Sequence, residues 1–443
     1  MAGLFDNIHP ELSQDNAIEI LSRKPEELTC ASDYYMAISH LINYPGQRSE
    51  LALINFLSSS ACDDSILLAK RKAVEILGRM KAVAAESEIG KCLNSTDVYM
   101  VENAAWSLSQ LSCKNVQLHQ LMLELLSDPK QNQRVLIQSL SQLKVQAALP
   151  MITQLQSSER PGVRGAAIAA LVQLSGQSEK IDLLADHLSL PNQMDRQSAI
   201  QDIIDCNASQ FLRQVIASPV SPVFKMRAVK LLLDPLNING VHLNILPMIE
   251  QILRDDPREI NILHHFDVSL DANDLVLGLF HPDFSRCYLS MQSLLTCDPI
   301  DLWSSLEQNW QLKAYNDYGA HYFFMRLFGL IDGWEGSAIL SVQEILKHAI
   351  EDQRPQFKKS GPAAILSLTR LYPDAIGHYL ESLLSHTKTL FWEKRYAALM
   401  AIDCYLSEDQ RMIYHKQIQD VAKMDPDAVI RLKANSVAAS IVR

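Results

Sequence analysis

"RKAVEILGRMK", Arg71 to Lys81, decides the fold once it is set beside "VENAAWSLSQL" (Val101–Leu111) and "RVLIQSLSQLK" (Arg134–Lys144). Each segment carries apolar residues at helical spacing, a small residue near its middle, and a second apolar stretch after a turn. "VRGAAIAALVQL" from Val163, "DRQSAIQDIID" from Asp195 and "KMRAVKLLLDP" from Lys225 continue the template. Ala73, Ala104, Ala167, Ala199 and Ala228 recur at spacings that fit about 30 to 35 residues per helix pair. Small residues let neighbouring helices approach closely, and clusters such as "SDPKQNQ" supply breaks and caps. The expected fold is all-α, an α-solenoid of HEAT or armadillo-like repeats.

Working outward, the template loosens from about Leu236 to Asp301 and returns at "RCYLSMQSLLT", "KSGPAAILSLTRLYPD", "KRYAALMAIDCYL" and "RLKANSVAASI". Two lobes are expected, residues 1–235 and 236–443, the second with an irregular start. A net charge of −11 argues against a phosphate-backbone binder, which needs a basic face. The eight cysteines are scattered without CxxC or Cys/His spacing, so reduced thiols in a cytoplasmic protein are expected, with no metal. The N-terminal residues show no basic start and no apolar core of an export signal. No P-loop, GxGxxG, GxSxG or HExxH is present.

A solenoid hosts many functions, so function has to be read from side chains that depart from a plain scaffold. Asp33, Tyr34, Tyr35 and His40 form one such set. Arg71, Glu75 and Arg79 share a helix face at intervals of four, either as a solvated ladder or as a binding face. Glu102, Asn103 and Trp106 follow, with the indole one turn from the carboxylate. The strongest case is "AYNDYGAHYFFMRLFG", Ala314 to Gly329, in a chain of only 7% aromatics. Asp317 is placed to cap a helix, with Gly319 allowing either a tight turn or close approach of a flat ligand. Tyr315, Tyr318, His321 and Arg326 add phenols, an imidazole and a guanidinium. Capping with a satisfied core histidine, and a binding face, are both open readings here.

These residues carry a resemblance. "SDYYMAISHLINYP", "KRKAVEILGRM", "VENAAWSL", "FSRCYLSMQSLL", "NDYGAHYFFMRLFG", "PQFKKSGPAAILSL" and "WEKRYAALMAI" resemble the E/F-type phycobilin lyases of cyanobacteria. Within that family the chain is most similar to the long, fused phycoerythrin α-subunit lyases, with residues 1–235 as the E-type half. Met36 and Ile38 to His40 replace part of the family's aromatic run, and the cysteine-containing motif of one lyase-isomerase branch is absent.

The resemblance implies attachment of phycoerythrobilin, a substrate and not a resident cofactor, through a thioether to a cysteine of a phycoerythrin α subunit. A lyase-isomerase that also makes phycourobilin is an alternative. A non-catalytic adaptor, chaperone or phycobilisome-disassembly factor is another. On the first reading Asp317, Tyr318 and His321 are catalytic. Bilin-binding residues would be Asp33, Tyr34, Tyr35, His40, Arg71, Glu75, Arg79, Glu102, Asn103, Trp106, Tyr315 and Arg326. Neither nucleic acid nor membrane insertion is expected.

Overall fold

The computed structural model describes residues 9, 11–30, 32–59, 63–233 and 245–441, and every regular element among them is helical. Residues divide into two compact units, 1–181 and 182–443. The expected lobe boundary at 235/236 lies outside the described residues, within 234–244.

In the first unit the helices Asp33–Leu41 (α1), Asp64–Met80 (α2), Val98–Gln110 (α3), Gln133–Gln142 (α4) and Pro161–Ser175 (α5) pack successively side by side. A second row, including Glu86–Cys92 and Val116–Leu126, backs onto them. Starts are set by short polar side chains. Asp63 accepts from the Ile66 amide, Asp97 from Tyr99 and Asn132 from Val135, each satisfying an orphan donor of the first turn.

Endings repeat as well. Lys81, Ser112 and Lys144 all take positive φ, between 54° and 57°. The next residue's amide then reaches back: Ala82 to Leu77 O, Cys113 to Leu108 O, and Val145 to Leu140 O. This is the reversal that satisfies terminal carbonyls, here without glycine.

Close packing of adjacent helices uses one device in both units. Ser107 on α3 donates 2.8 Å to the Val74 carbonyl on α2, where Gly78 leaves room for its side chain. In the second unit, Ser367 donates 2.8 Å to the Met325 carbonyl beside Gly329.

The second unit contains Ile245–Arg254 (α6), Phe284–Leu294 (α7), Pro299–Leu312 (α8), Ala320–Leu330 (α9), Ser337–Glu351 (α10), Ser360–Leu371 (α11) and Trp392–Tyr405 (α12). α9 packs on α11, and α11 on α12. α6 buries Ile245, Met248, Ile249 and Ile252. It leads to Asp255, a buried carboxylate that accepts from Tyr288 Oη and Tyr322 Oη at 2.6 Å each and pairs with Lys225 at 3.4 Å. Four polar groups satisfy one another there, which makes their burial tolerable. That knot fixes α9 against α7 below the candidate site.

Candidate functional site

The site is built where α8 ends and α9 begins. A short 3-10 turn, Ala314–Asn316, delivers Asp317, whose Oδ1 accepts from the amides of Gly319 (2.8 Å) and Ala320 (2.7 Å). Asp317 is therefore the capping group expected of it. Gly319 has φ −88°, and a Cβ there would touch Asp317 only at ordinary van der Waals distance. The turn itself does not require glycine.

From His321 to Phe328 every residue of α9 is buried. The binding stripe expected along this helix is therefore confined to its first turn and the loop before it. Tyr315 and Tyr318 are 51% and 58% exposed, whereas Arg326 is buried beside Asp256 with its Nε lacking a hydrogen-bond partner. Arg326 is enclosed because α9 is flanked on several sides, so it presents no guanidinium to a ligand at the surface.

His321 sits at the inner edge of a cavity of about 320 Å³ lined also by Trp310, Tyr315, His348, Glu351 and Asp352. Its ring lies 4.4 Å from Phe357 and 5.0 Å from Trp310, centre to centre. Its Nδ1 is buried without a hydrogen-bond partner. Burial pushes the imidazole down to about 4, and Arg354 and Lys359 push the same way while nearby Asp352 opposes them. His321 is thus neutral at physiological pH and offers an unpartnered ring nitrogen, not a charge.

Arg354 closes one rim. Its guanidinium lies 4.5 Å from the Tyr315 ring and 4.2 Å from Phe357, and it grips Asp352 through two nitrogens. Burial pushes Asp352 up, but this fork and the Arg354 amide outweigh it and hold the carboxyl below its ordinary value. Lys359 stands apart from the cavity lining, under the ring of Tyr318 in the loop before α9. Its Nζ is buried, has no hydrogen-bond partner, and faces the rings of Tyr318 (4.1 Å), Phe284 (5.0 Å) and Tyr322 (5.5 Å). Burial lowers it to about 8, against the pull of Cys287, Asp317 and Asp255.

Lys359, Arg354, Asp352, Trp310 and Phe357 were not singled out by the sequence. The only signal was the doubled lysine of "PQFKKSGPAAILSL", which does not say which lysine turns inward.

The remaining candidates lie in the first unit, and several prove structural. Tyr34 is buried, donating 2.6 Å to the Arg23 carbonyl with its ring 5.0 Å from Phe56. His40 is buried with Nε2 on the Leu12 carbonyl. Asp33 accepts the Thr29 and Cys30 amides. These three hold α1 in place and do not form an open binding face.

Arg71 reaches the next repeat, bonding Asp97 at 2.6 Å and covering Tyr99, so it braces the cap of α3. Glu75 pairs with Lys72 at 2.8 Å and Arg79 at 3.9 Å, and Lys72 lies 5.7 Å from the Tyr35 ring. Tyr35 and Arg79 are the exposed members of this chain of partners, and Lys72 and Glu75 are half-buried. Glu102 accepts from Asn132, and Asn103 and Trp106 are half-buried.

Among the described cysteines, Cys113, Cys206 and Cys287 are buried, Cys92 and Cys297 half-buried, and Cys30 and Cys404 exposed; Cys62 lies outside the described residues. Burial pushes the thiols of Cys92, Cys206 and Cys287 up to about 11, 12 and 12, which suppresses thiolate chemistry. Among the described residues no helix is long and apolar enough to cross a membrane.

A profile of HEAT repeats matches residues 117–204. The "Bilin biosynthesis protein CpeY" of Synechococcus sp. (strain WH8020) is 38% identical over 411 residues, 92% of this chain and 98% of that protein. The "Uncharacterized phycocyanin operon protein Y" of Pseudanabaena tenuis (strain PCC 7409) is 31% identical over 428 residues, 96% of this chain and 98% of its own. Among solved structures, the complex of CpcE and CpcF of phycocyanin lyase from Nostoc sp. PCC7120 aligns with a TM-score of 0.47 at 21% identity, over 57% of this chain and 98% of that one.

Proposed function

Because the chain belongs to the E/F-type phycobilin lyase family, and is a bilin lyase, we propose that it attaches phycoerythrobilin to a cysteine of a phycoerythrin α subunit. The observation that carries the site assignment is the cavity at the start of α9. There a neutral imidazole with an unpartnered nitrogen and the exposed Tyr315 line the cavity, and the loop leading into α9 carries the exposed Tyr318 and the capping Asp317.

An open-chain tetrapyrrole is flat, conjugated and rich in N–H donors. Tyr315 and Tyr318 offer faces for its rings. His321 Nδ1 and the Asp317 carboxylate offer acceptors for pyrrole N–H groups, and a carboxylate favours the protonated, more electrophilic bilin. The acceptor thiol then adds across the A-ring ethylidene. A C–S bond forms, the thiol proton passes to the tetrapyrrole, and nothing is oxidised or reduced. No enzyme nucleophile is needed, in keeping with the suppressed thiols of Cys92, Cys206 and Cys287. Catalysis comes from holding the bilin and the acceptor cysteine in register.

Co-expression with a bilin-synthesis system and candidate acceptor subunits tests the proposal, scored by covalent fluorescence on the acceptor. Attachment to the phycoerythrin α subunit above the enzyme-free background is expected, with phycoerythrobilin absorbance. A strong blue shift of the product would assign isomerisation as well. Attachment confined to another subunit, or none above background, would overturn the assignment.

A further inference from the structure

Buried lysines in the second unit find partners. Lys225 pairs with Asp255 at 3.4 Å. Lys394 donates to the Ile350 and Asp352 carbonyls at 2.8 and 3.2 Å, in space that Gly361 leaves free. Lys433 binds Asp403 and Glu250 at 2.7 and 3.0 Å. Next along the chain, Lys358 reaches Glu393 at 3.1 Å. This is the ordinary condition for taking an ammonium out of water.

Lys359 breaks the pattern. Its Nζ is out of solvent and makes no hydrogen bond among the described residues, and the faces of Tyr318, Phe284 and Tyr322 lie against it. Cation–π attraction offsets a small part of the lost hydration. Asp317, the nearest route to a carboxylate, has Oδ1 committed to two backbone amides and does not bond Nζ. Tyr322 is held elsewhere, on Asp255. The one movable wall is Tyr318, which is more than half exposed and starts no helix.

We infer that Lys359 is the carboxylate anchor of the bilin site, binding a propionate of the tetrapyrrole when the Tyr318 ring swings aside. This rests on the bilin-lyase reading and assigns a specific positioning residue within it. A carboxylate arriving at Nζ completes the charge-assisted bond that the free protein lacks. The displaced Tyr318 ring is then free to lie against the conjugated system. The anchor also orients the ligand, because it ties a propionate-bearing ring at Tyr318, one helical turn before His321 in the chain. The chain's negative balance poses no obstacle, since one enclosed cation suffices.

The test is binding of phycoerythrobilin and of its dimethyl ester to the full-length protein, followed by absorbance, for the wild type, Lys359→Met and Lys359→Arg. Methionine fills the aromatic box without charge, and melting curves confirm that each variant is folded. The wild type is expected to prefer the free acid by about tenfold or more. That preference should collapse toward unity in Lys359→Met and persist in Lys359→Arg. An undiminished acid preference in Lys359→Met overturns the inference while leaving the lyase reading intact. So does a variant whose transfer to the acceptor falls while its acid preference is kept, for then the lysine meets the acceptor and not the bilin. If the wild type binds neither compound, the lyase reading and this anchor fall together.

Discussion

The Nζ of Lys359 lies 4.1 Å from the centre of the Tyr318 ring, and among the described residues no oxygen accepts a hydrogen bond from it. A buried cation against π-electrons and without a hydrogen-bonded anion is a cost to the folded state, retained where a ligand can use it. That relationship separates stability from function, and the two can be measured apart.

Lys359→Met should raise the melting temperature at pH 7 even as it weakens bilin binding. The sign follows from the lysine's lowered value of about 8 against the ordinary 10.5. Below pH 8 the folded protein must hold the charge and carries the full penalty, up to about 3 kcal/mol. Between pH 8 and 10.5 the penalty fades as the folded protein sheds its proton ahead of the unfolded chain. Asp255, Asp317, Cys287 and His321 and the phenols of Tyr318 and Tyr322 face this group. Calorimetry of both proteins from pH 7 to 10.5 should show the gap closing. A gap that is flat in pH would mean the ammonium is already satisfied.

Asp317→Asn should leave the fold almost untouched, because the amide oxygen can accept from the Gly319 and Ala320 amides as the carboxylate does, and Asn caps about as well as Asp. Transfer of bilin to the acceptor should nonetheless fall by about tenfold, roughly 1.4 kcal/mol of transition-state stabilisation. Asp317→Ala supplies the contrast, losing about 1 kcal/mol of stability with the cap. Normal initial rates in the Asn variant would return Asp317 to a purely capping role.

His321 should confer acid sensitivity. Its folded-state value of about 4 lies below the ordinary 6.5, so its neutral form fits the fold. The stability it permits is present above pH 6.5 and is lost as pH falls through 4, by at most about 3 kcal/mol. Phenylalanine preserves stacking with Phe357 and Trp310. Urea titrations at pH 7 and pH 4 should therefore show His321→Phe gaining on the wild type at the lower pH. Equal losses in the two proteins would show that the imidazole reaches water.

Gly329→Ala should destabilise the second unit by about 1–3 kcal/mol. An added Cβ would lie 1.9 Å from Ser367 Oγ and 2.8 Å from Ser367 Cα, so α9 and α11 must separate. Ser367→Ala alone removes one buried hydrogen bond and should cost about 1 kcal/mol. Combining Gly329→Ala with Ser367→Gly should restore only part of the stability, since the new methyl still presses on the backbone of residue 367. Full restoration would locate the strain in the serine side chain alone.

The sequence by itself determined what depends on neighbours a few residues apart. Helical spacing of apolar residues, recurring alanines and polar caps such as Asp63, Asp97 and Asn132 act within a turn or two. The repeats are therefore legible in the chain itself, as is Asp317 as a cap. Whether a polar side chain on such a helix meets water, protein or nothing depends on partners distant in sequence, and these only the tertiary structure decided. The pattern of α9 suggested one open face, but neighbouring helices enclose it from His321 onward. Tyr34 and His40 looked like ligand groups until carbonyls of Arg23 and Leu12 took their hydrogen bonds. Lys81, Ser112 and Lys144 end helices in a left-handed turn that no glycine announced. The unpaired ammonium of Lys359 exists only because Phe284 of α7, Tyr318 of the loop before α9 and Tyr322 of α9 converge on it with their rings, and no described residue accepts its hydrogen bond.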